Sequence, residues 1–231
     1  MINIRKSADR GRADFGWLDS HHSFSFGHYY DQNHMSWGPL RVINEDRVTA
    51  GAGFDPHPHR DMEIISYVID GALEHKDNIG NGSVIRPGRL QRMSAGTGIR
   101  HSEYNGSKTD PVHFLQIWII PEKQGIEPGY EEMDIAAPSN DLQLIGSRSG
   151  RDGSITIHQD VDLYAARLTA GSTVNHTLPA GRVAWLQMIN GTLAVGDTTL
   201  NAGDGAAIAN EDLLKLHAQT DIEALLFDMV A

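Results

Sequence analysis

No segment of this chain sustains the 3.6-residue apolar period of an amphipathic helix. What recurs is a short run of β-branched and aromatic residues closed by Gly, Asn or Asp, as at 40–44, 64–69, 113–120, 184–189 and 224–229. Such runs read as strands. The 24 glycines among 231 residues supply the tight turns between them. Helical turns are expected only in short stretches, for instance 128–133. Many short strands joined by glycine-rich turns build a sandwich or barrel, so the expectation is an all-β chain.

The pattern occurs twice. SYVIDGALEH followed by RPGRLQRMSAG matches LQMINGTLAVGD followed by NAGDGAAIAN. Each reads strand, glycine turn, strand, second glycine turn, strand, with Gly71 matching Gly191 and Gly88 matching Gly203. An internal duplication follows. The polar segment 121–143, with Pro121, Pro128 and Pro138, reads as the connection between the halves. The expected domains are 1–130 and 131–231.

Composition excludes several classes. A net charge of −11 lacks the basic footprint that direct nucleic-acid binding needs. With no cysteine there is no disulfide, thiolate metal site or thiol nucleophile. The N-terminal residues lack an apolar core of signal-peptide length, and the longest apolar stretch, FLQIWII, is too short to span a bilayer. A cytoplasmic protein without membrane contact is expected.

The 12 histidines need a reason. His57 and His59 lie one residue apart in FDPHPHRDME, and His101 and Glu103 do the same in GIRHSEYN. On a strand, residues two apart face the same way. If the two segments lie side by side, three imidazoles and a carboxylate converge. That donor set suits Fe(II), Mn(II), Co(II), Ni(II), Cu(II) or Zn(II), and not calcium. Pro58 removes a ladder donor, which suits an edge strand or a bulge. Glu63 shares the parity of the histidines. On a regular strand it faces the same interior, as a further ligand, a hydrogen-bond partner to an imidazole or a proton acceptor. Otherwise it is an edge residue paired with Arg60.

These residues resemble known motifs. GAGFDPHPHRDME resembles the first cupin motif, with Gly51, His57, His59 and Glu63 in place and Gly71 one residue late. GIRHSEYN resembles the end of the second, with Gly98, His101 and Asn105, although Gly96 replaces a proline. HPHRDMEIISYVIDG, MSAGTGIRHSEYN and FGWLDSHHSFSFGHYYD are together similar to the pirin family, closest to its bacterial quercetin dioxygenase-like members. The resemblance spans nearly the whole chain.

It implies a bicupin, two antiparallel jelly-roll β-barrels in tandem, with one divalent metal in the N-terminal barrel held by His57, His59, His101 and Glu103. Iron(II) is the first expectation. Shifting by the glycine match puts Thr177 and Pro179 near the positions of His57 and His59, and Leu216 near that of His101. No metal is therefore expected in the second barrel.

The implied activity is ring opening of a flavonol such as quercetin by O2, with release of carbon monoxide. Glu103 is the first candidate base and Glu63 the second. Phe24, Phe26, Trp37, Met62, Met93 and Trp118 are candidate pocket walls or core. His22, His28 and His34 belong to a segment that either covers the site or forms a plain surface loop. His75 and His113 are expected to be structural. The family tendency implies a monomer. A metal-dependent regulator that binds other proteins, and another small-molecule cupin reaction, are the alternatives. A sugar-phosphate substrate would draw on Arg60, Arg86, Arg89, Arg92 and Arg100.

Overall fold

The computed structural model describes residues 1–231. The chain forms two compact units. The first comprises Gly11–Asp134 and residues 157–159; the second comprises Met1–Arg10, Ile135–Thr156 and Asp160–Ala231. The first strand of the chain, β1 (Ile2–Arg5), thus belongs to the second unit. No helix is long and apolar enough to cross a membrane.

The first unit holds β2 (Gly11–Asp14), β3 (Leu18–His22), β4 (Leu40–Val48), β5 (Gly53–His59), β6 (Glu63–Asp70), β7 (Leu73–Asp77), β8 (Gly82–Ile85), β9 (Arg89–Ser94), β10 (Ile99–Asn105), β11 (Val112–Ile119) and β12 (Gly129–Asp134). They form a seven-stranded sheet, β12-β9-β6-β11-β4-β3-β2, and a four-stranded sheet, β5-β10-β7-β8. All these pairings are antiparallel.

The second unit holds, besides β1, β13 (Leu142–Ser147), β14 (Ile155–Thr156), β15 (Val161–Leu168), β16 (Thr173–Thr177), β17 (Arg182–Asn190), β18 (Thr192–Val195), β19 (Thr198–Asn201), β20 (Gly205–Ala209), β21 (Leu213–Ala218) and β22 (Ile222–Val230). Its sheets are β1-β20-β17-β22-β15-β13-β14 and β16-β21-β18-β19. The run β4-β11-β6-β9 over β5-β10-β7-β8 returns as β15-β22-β17-β20 over β16-β21-β18-β19. The duplication read from the glycines is therefore a repeated eight-strand jelly roll, and the chain is a bicupin.

The glycine match holds for a conformational reason. Gly71 and Gly191 turn β6 into β7 and β17 into β18 at φ 84° and 74°. A Cβ at Gly71 would lie 2.6 Å from the Pro111 carbonyl oxygen, and one at Gly191 would lie 2.2 Å from that of Asp221. Gly88 and Gly203, at φ 84° and 78°, make the next equivalent turns.

One expectation fails here. Residues 129–134 are not a helical turn but strand β12, paired residue for residue with β9 from Gly129–Ser94 to Asp134–Arg89. The side chains of β12 are half-buried rather than split between a wet and a dry face, so no alternation marked it as a strand.

The two interiors differ. The second barrel is filled by one continuous apolar cluster that includes Leu178, Leu186, Leu193, Leu214, Leu216 and Leu226. In the first, the apolar residues separate into two clusters. One is built on Leu18, Val48, Leu73, Val112 and Phe114, the other on Ile64, Met93, Ala95 and Ile99. Buried polar residues Ser66, His75, Gln91, His101, Glu103 and Gln116 occupy this barrel as well.

Gly71→Ala and Gly191→Ala should each destabilise the protein by roughly 2–4 kcal/mol, because left-handed strain adds to a backbone clash. Gly88→Ala, whose Cβ meets nothing within 4 Å, should cost only about 1–2 kcal/mol of backbone strain. Urea denaturation of the three variants checks this order.

Candidate metal centre

The pairing of β5 with β10 builds the site. His57 lies opposite His101 and His59 opposite Ile99, whereas Glu103 lies opposite Phe54. The register slips by one residue between these pairs. Such a bulge bends the strand and re-aims its side chains. It sets Phe54, three residues before His57, into the same cavity as His57, His59 and Glu103. Strand β5 is an edge strand, which is why Pro58 is accommodated.

The three imidazoles meet. Ring centroids are 4.5 Å apart for His57–His101, 4.8 Å for His57–His59 and 4.9 Å for His59–His101. One nitrogen from each lies within 4.8 Å of the others. The Glu103 carboxylate is 3.9 Å from His101 Nε2. Ser66 Oγ donates to Glu103 Oε1 at 3.1 Å and Gln116 Nε2 to Oε2 at 2.7 Å, which fixes the carboxylate plane.

Hydrogen bonds select the tautomers. His57 Nδ1 donates to the Asp55 carbonyl oxygen at 2.8 Å, leaving Nε2 with its lone pair. Behind His101 runs a longer chain. Backbone N–H groups of Ile79 and Asn81 and the Asn81 amide donate to Asp77. Burial pushes the Asp77 carboxyl up, but these donors and His75 outweigh it and hold it below the usual carboxylate range. His75 Nε2 donates to Asp77 at 3.3 Å, so His75 Nδ1 accepts, from Gln91 Nε2 at 3.3 Å and from His101 Nδ1 at 3.4 Å. His101 Nε2 is then a bare acceptor.

That nitrogen is buried and has no hydrogen-bond partner. Burial pushes the His101 imidazole down to about 3, helped by the neighbouring His57 and His75. Burial likewise pushes His59 down to about 4, helped by His101 and His57. Both rings are neutral at pH 7, the state in which imidazole binds a metal. An orphaned lone pair beside two more imidazoles and an oriented carboxylate fits a divalent transition metal.

Glu63 goes elsewhere. The turn after β5 contains Asp61 at φ 50° and passes the chain into the other sheet, which breaks the parity carried from His57. On β6 it is Ser66 that reaches Glu103, and Glu63, three residues earlier, has the opposite parity. Its buried carboxylate accepts from Ser94 Oγ at 3.0 Å and lies 3.2 Å from His158 Nδ1. Glu63 thus ties residues 157–159 to β6 and β9 within the first unit, rather than joining His57, His59 and His101.

Of the suggested walls, Phe26 and Trp118 line the histidine cavity, together with Phe54, Asn44 and Asp46. Met62 and Met93 pack with Ile64 and Ile99. The aromatic N-terminal segment does reach the site: Phe26 stands edge-on to Trp118, and Trp118 edge-on to His59, at 5.3 and 5.0 Å. His22 is buried against Ser20, His34 bonds Asp31 and His113 bonds Glu45. His28 lines a neighbouring cavity. His75, expected to be structural, supports His101 from behind, and with Asp77 it repeats on β7 the alternation that flagged His101 and Glu103. Sequence reading missed Asn44 and Asp46, hidden in the hydrophilic string NEDR.

In the second unit, strand pairing sets His176 opposite Leu214 as His57 is set opposite His101. The equivalents of His59, His101 and Glu103 are then Leu178, Leu214 and Leu216, one or two residues from the positions read off the glycine offset. His176 bonds Asp228 at 2.8 Å.

The Pirin family model matches residues 3–119, and the quercetinase C-terminal cupin domain model matches residues 144–229. The chain belongs to the pirin family. This pirin is 47% identical to quercetin 2,3-dioxygenase of Escherichia coli K12 over 99% of both chains. It superposes on the bacterial pirin YhhW of E. coli, solved in complex with nickel(II), with a TM-score of 0.96 at 47% identity, over 100% of this chain and 99% of that one. The E. coli protein YhaK follows at a TM-score of 0.78 and 32% identity, over 96% and 98% of the two chains.

Asp46 carries a stability signature. Burial pushes its carboxyl up to about 7; the Ser20 hydroxyl pulls it partly back, while Glu103 and Glu45 add to the rise. Between the unfolded value near 4 and about 7, the folded state holds the extra proton, so this residue makes stability fall as pH rises. In metal-free protein, Asp46→Asn should be more stable than its parent by on the order of 3 kcal/mol at pH 8. The gain should shrink steadily toward pH 4; a difference independent of pH in thermal melts would contradict this origin.

Proposed function

We propose that this pirin is a metal-dependent flavonol dioxygenase of the quercetin 2,3-dioxygenase type. The observation that carries the reading is the buried, partnerless His101 Nε2 beside His57, His59 and an oriented Glu103. His57, His59, His101 and Glu103 are the residues that would hold the ion. Iron(II) is our first choice, and the nickel(II) complex of the E. coli relative keeps nickel in view. When bound, a divalent ion supplies Lewis acidity that lowers the pKa of a flavonol hydroxyl.

The chain's own residues do the rest. Glu103, held by Ser66 and Gln116, takes the proton of the 3-hydroxyl. Phe26, Phe54 and Trp118 form aromatic walls that keep water from the deprotonated, electron-rich ring. Trp118 Nε1, buried without a partner, is available to a substrate oxygen. The substrate anion reacts with O2, its central ring opens, and one ring carbon leaves as carbon monoxide. Three of the five arginines that a sugar-phosphate would draw on are held by other partners. Arg89 pairs with Glu132 and Asp134, Arg92 with Glu131, and Arg100 with the Pro56 carbonyl.

Metal-loaded protein should consume O2 and release carbon monoxide with quercetin, and the His57→Ala/His59→Ala protein should do neither. Glu103→Gln should retain some metal by elemental analysis yet lose roughly 10²–10⁴ of turnover, the span of a lost general base. Unchanged turnover in metal-loaded Glu103→Gln would remove Glu103 from that role. No carbon monoxide with any first-row divalent ion would favour a metal-dependent regulator.

A further inference from the structure

The cavity that holds the histidines has a volume of about 250 Å³, below the ~300–1,000 Å³ usual for small-molecule sites. It has a neighbour of about 380 Å³, lined by β2, β3 and the segment around Phe26–Tyr29. The two cavities share Phe26, Asn44, Asp46 and Phe54. Together they reach the usual size, and a guest spanning both must pass the four residues they share.

The passage has a defined chemistry. Phe26 and Phe54 offer ring surfaces. Asn44 Oδ1 and Asp46 Oδ1 are both buried and have no hydrogen-bond partner. They stand two residues apart on one face of β4, so about 7 Å separates their positions. A buried acceptor without a donor is costly to keep. Two at one doorway, flanked by aromatic rings, fit a flat aromatic guest that brings its own hydroxyl donors. Asp46 is also anchored from the side: Ser20, paired with it on β3 and bonded to it through its hydroxyl, is 2.8 Å from His22 Nε2.

We propose that the second cavity is a substrate subsite for a hydroxylated aromatic ring, read by Asn44 and Asp46 as that ring passes between Phe26 and Phe54. The proposal rests on the flavonol reading above and adds a preference to it. Flavonols with hydroxyls on the outer rings are selected over those with the reacting core alone. Phenolic O–H groups donate to the two orphaned oxygens, and no bond is made or broken there.

The test separates binding from turnover. Nickel(II)-loaded protein under nitrogen is titrated with quercetin and with 3-hydroxyflavone, which shares the reacting ring system but lacks the other hydroxyls. The parent protein should bind quercetin roughly ten- to a hundredfold more tightly, the worth of two hydrogen bonds to buried acceptors. Asp46→Leu should collapse that ratio and change 3-hydroxyflavone far less, whereas Asp46→Asn, which keeps an acceptor oxygen, should retain much of it. Ala13→Trp fills the second cavity from β2 without altering β4; it should weaken quercetin and spare catechol, a single ring. Equal binding of the two flavonols by the parent, or equal losses of both in Asp46→Leu, overturns the subsite. If the binding ratio holds but no carbon monoxide is released in air, the subsite stands and the dioxygenase reading falls.

Discussion

One slipped pairing carries the architecture of this site. Between His101 and Glu103 the ladder to β5 gains a residue, and the placing of Phe54 beside the histidines and Glu103 depends on that gain. Without it, Phe54 would face away from the histidines, and Glu103 would not sit beside an aromatic wall. The edge position of β5 permits both the slip and Pro58. The sheet edge, often a liability, is here the place where irregular backbone can present ligands.

Around that pairing, polar groups are arranged to hold lone pairs still. The chain from Asp77 through His75 to His101 leaves one nitrogen facing the cluster and bonds the other. Ser66 and Gln116 do the same for Glu103. These groups occupy space that is filled by leucine in the second barrel. The same eight-strand topology therefore supports two solutions: a continuous apolar core in one copy, and a divided core around a polar centre in the other. Stability and chemistry are apportioned between copies of one fold.

The sequence made much of this legible. Spaced pairs such as His57/His59 and His101/Glu103 are local facts, and strand alternation turns them into shared faces. Glycines at left-handed turns are likewise local, which is why Gly71/Gly191 and Gly88/Gly203 revealed the duplication. What failed was parity carried across a turn. A regular strand would put Glu63 on the histidine face, but Asp61 takes the chain into the other sheet and reverses its facing. Equivalences in the second barrel drifted by one or two residues because offsets differ between strand pairs. Asn44 and Asp46 were invisible: a polar tetrapeptide reads as surface until the strand is known to be central and covered on both faces.

The first strand of the chain is stitched into the second barrel, with Ile2 to Arg5 alongside Ile208 to Gly205. In chain order β1 and its partner β20 are separated by the whole of the first unit, so this pairing joins two distant parts of the second barrel's sequence. Without β1, β20 would be an open edge of its sheet. The leading residues act as a fastener for the trailing barrel, which is completed only by chain that precedes the first barrel in the sequence.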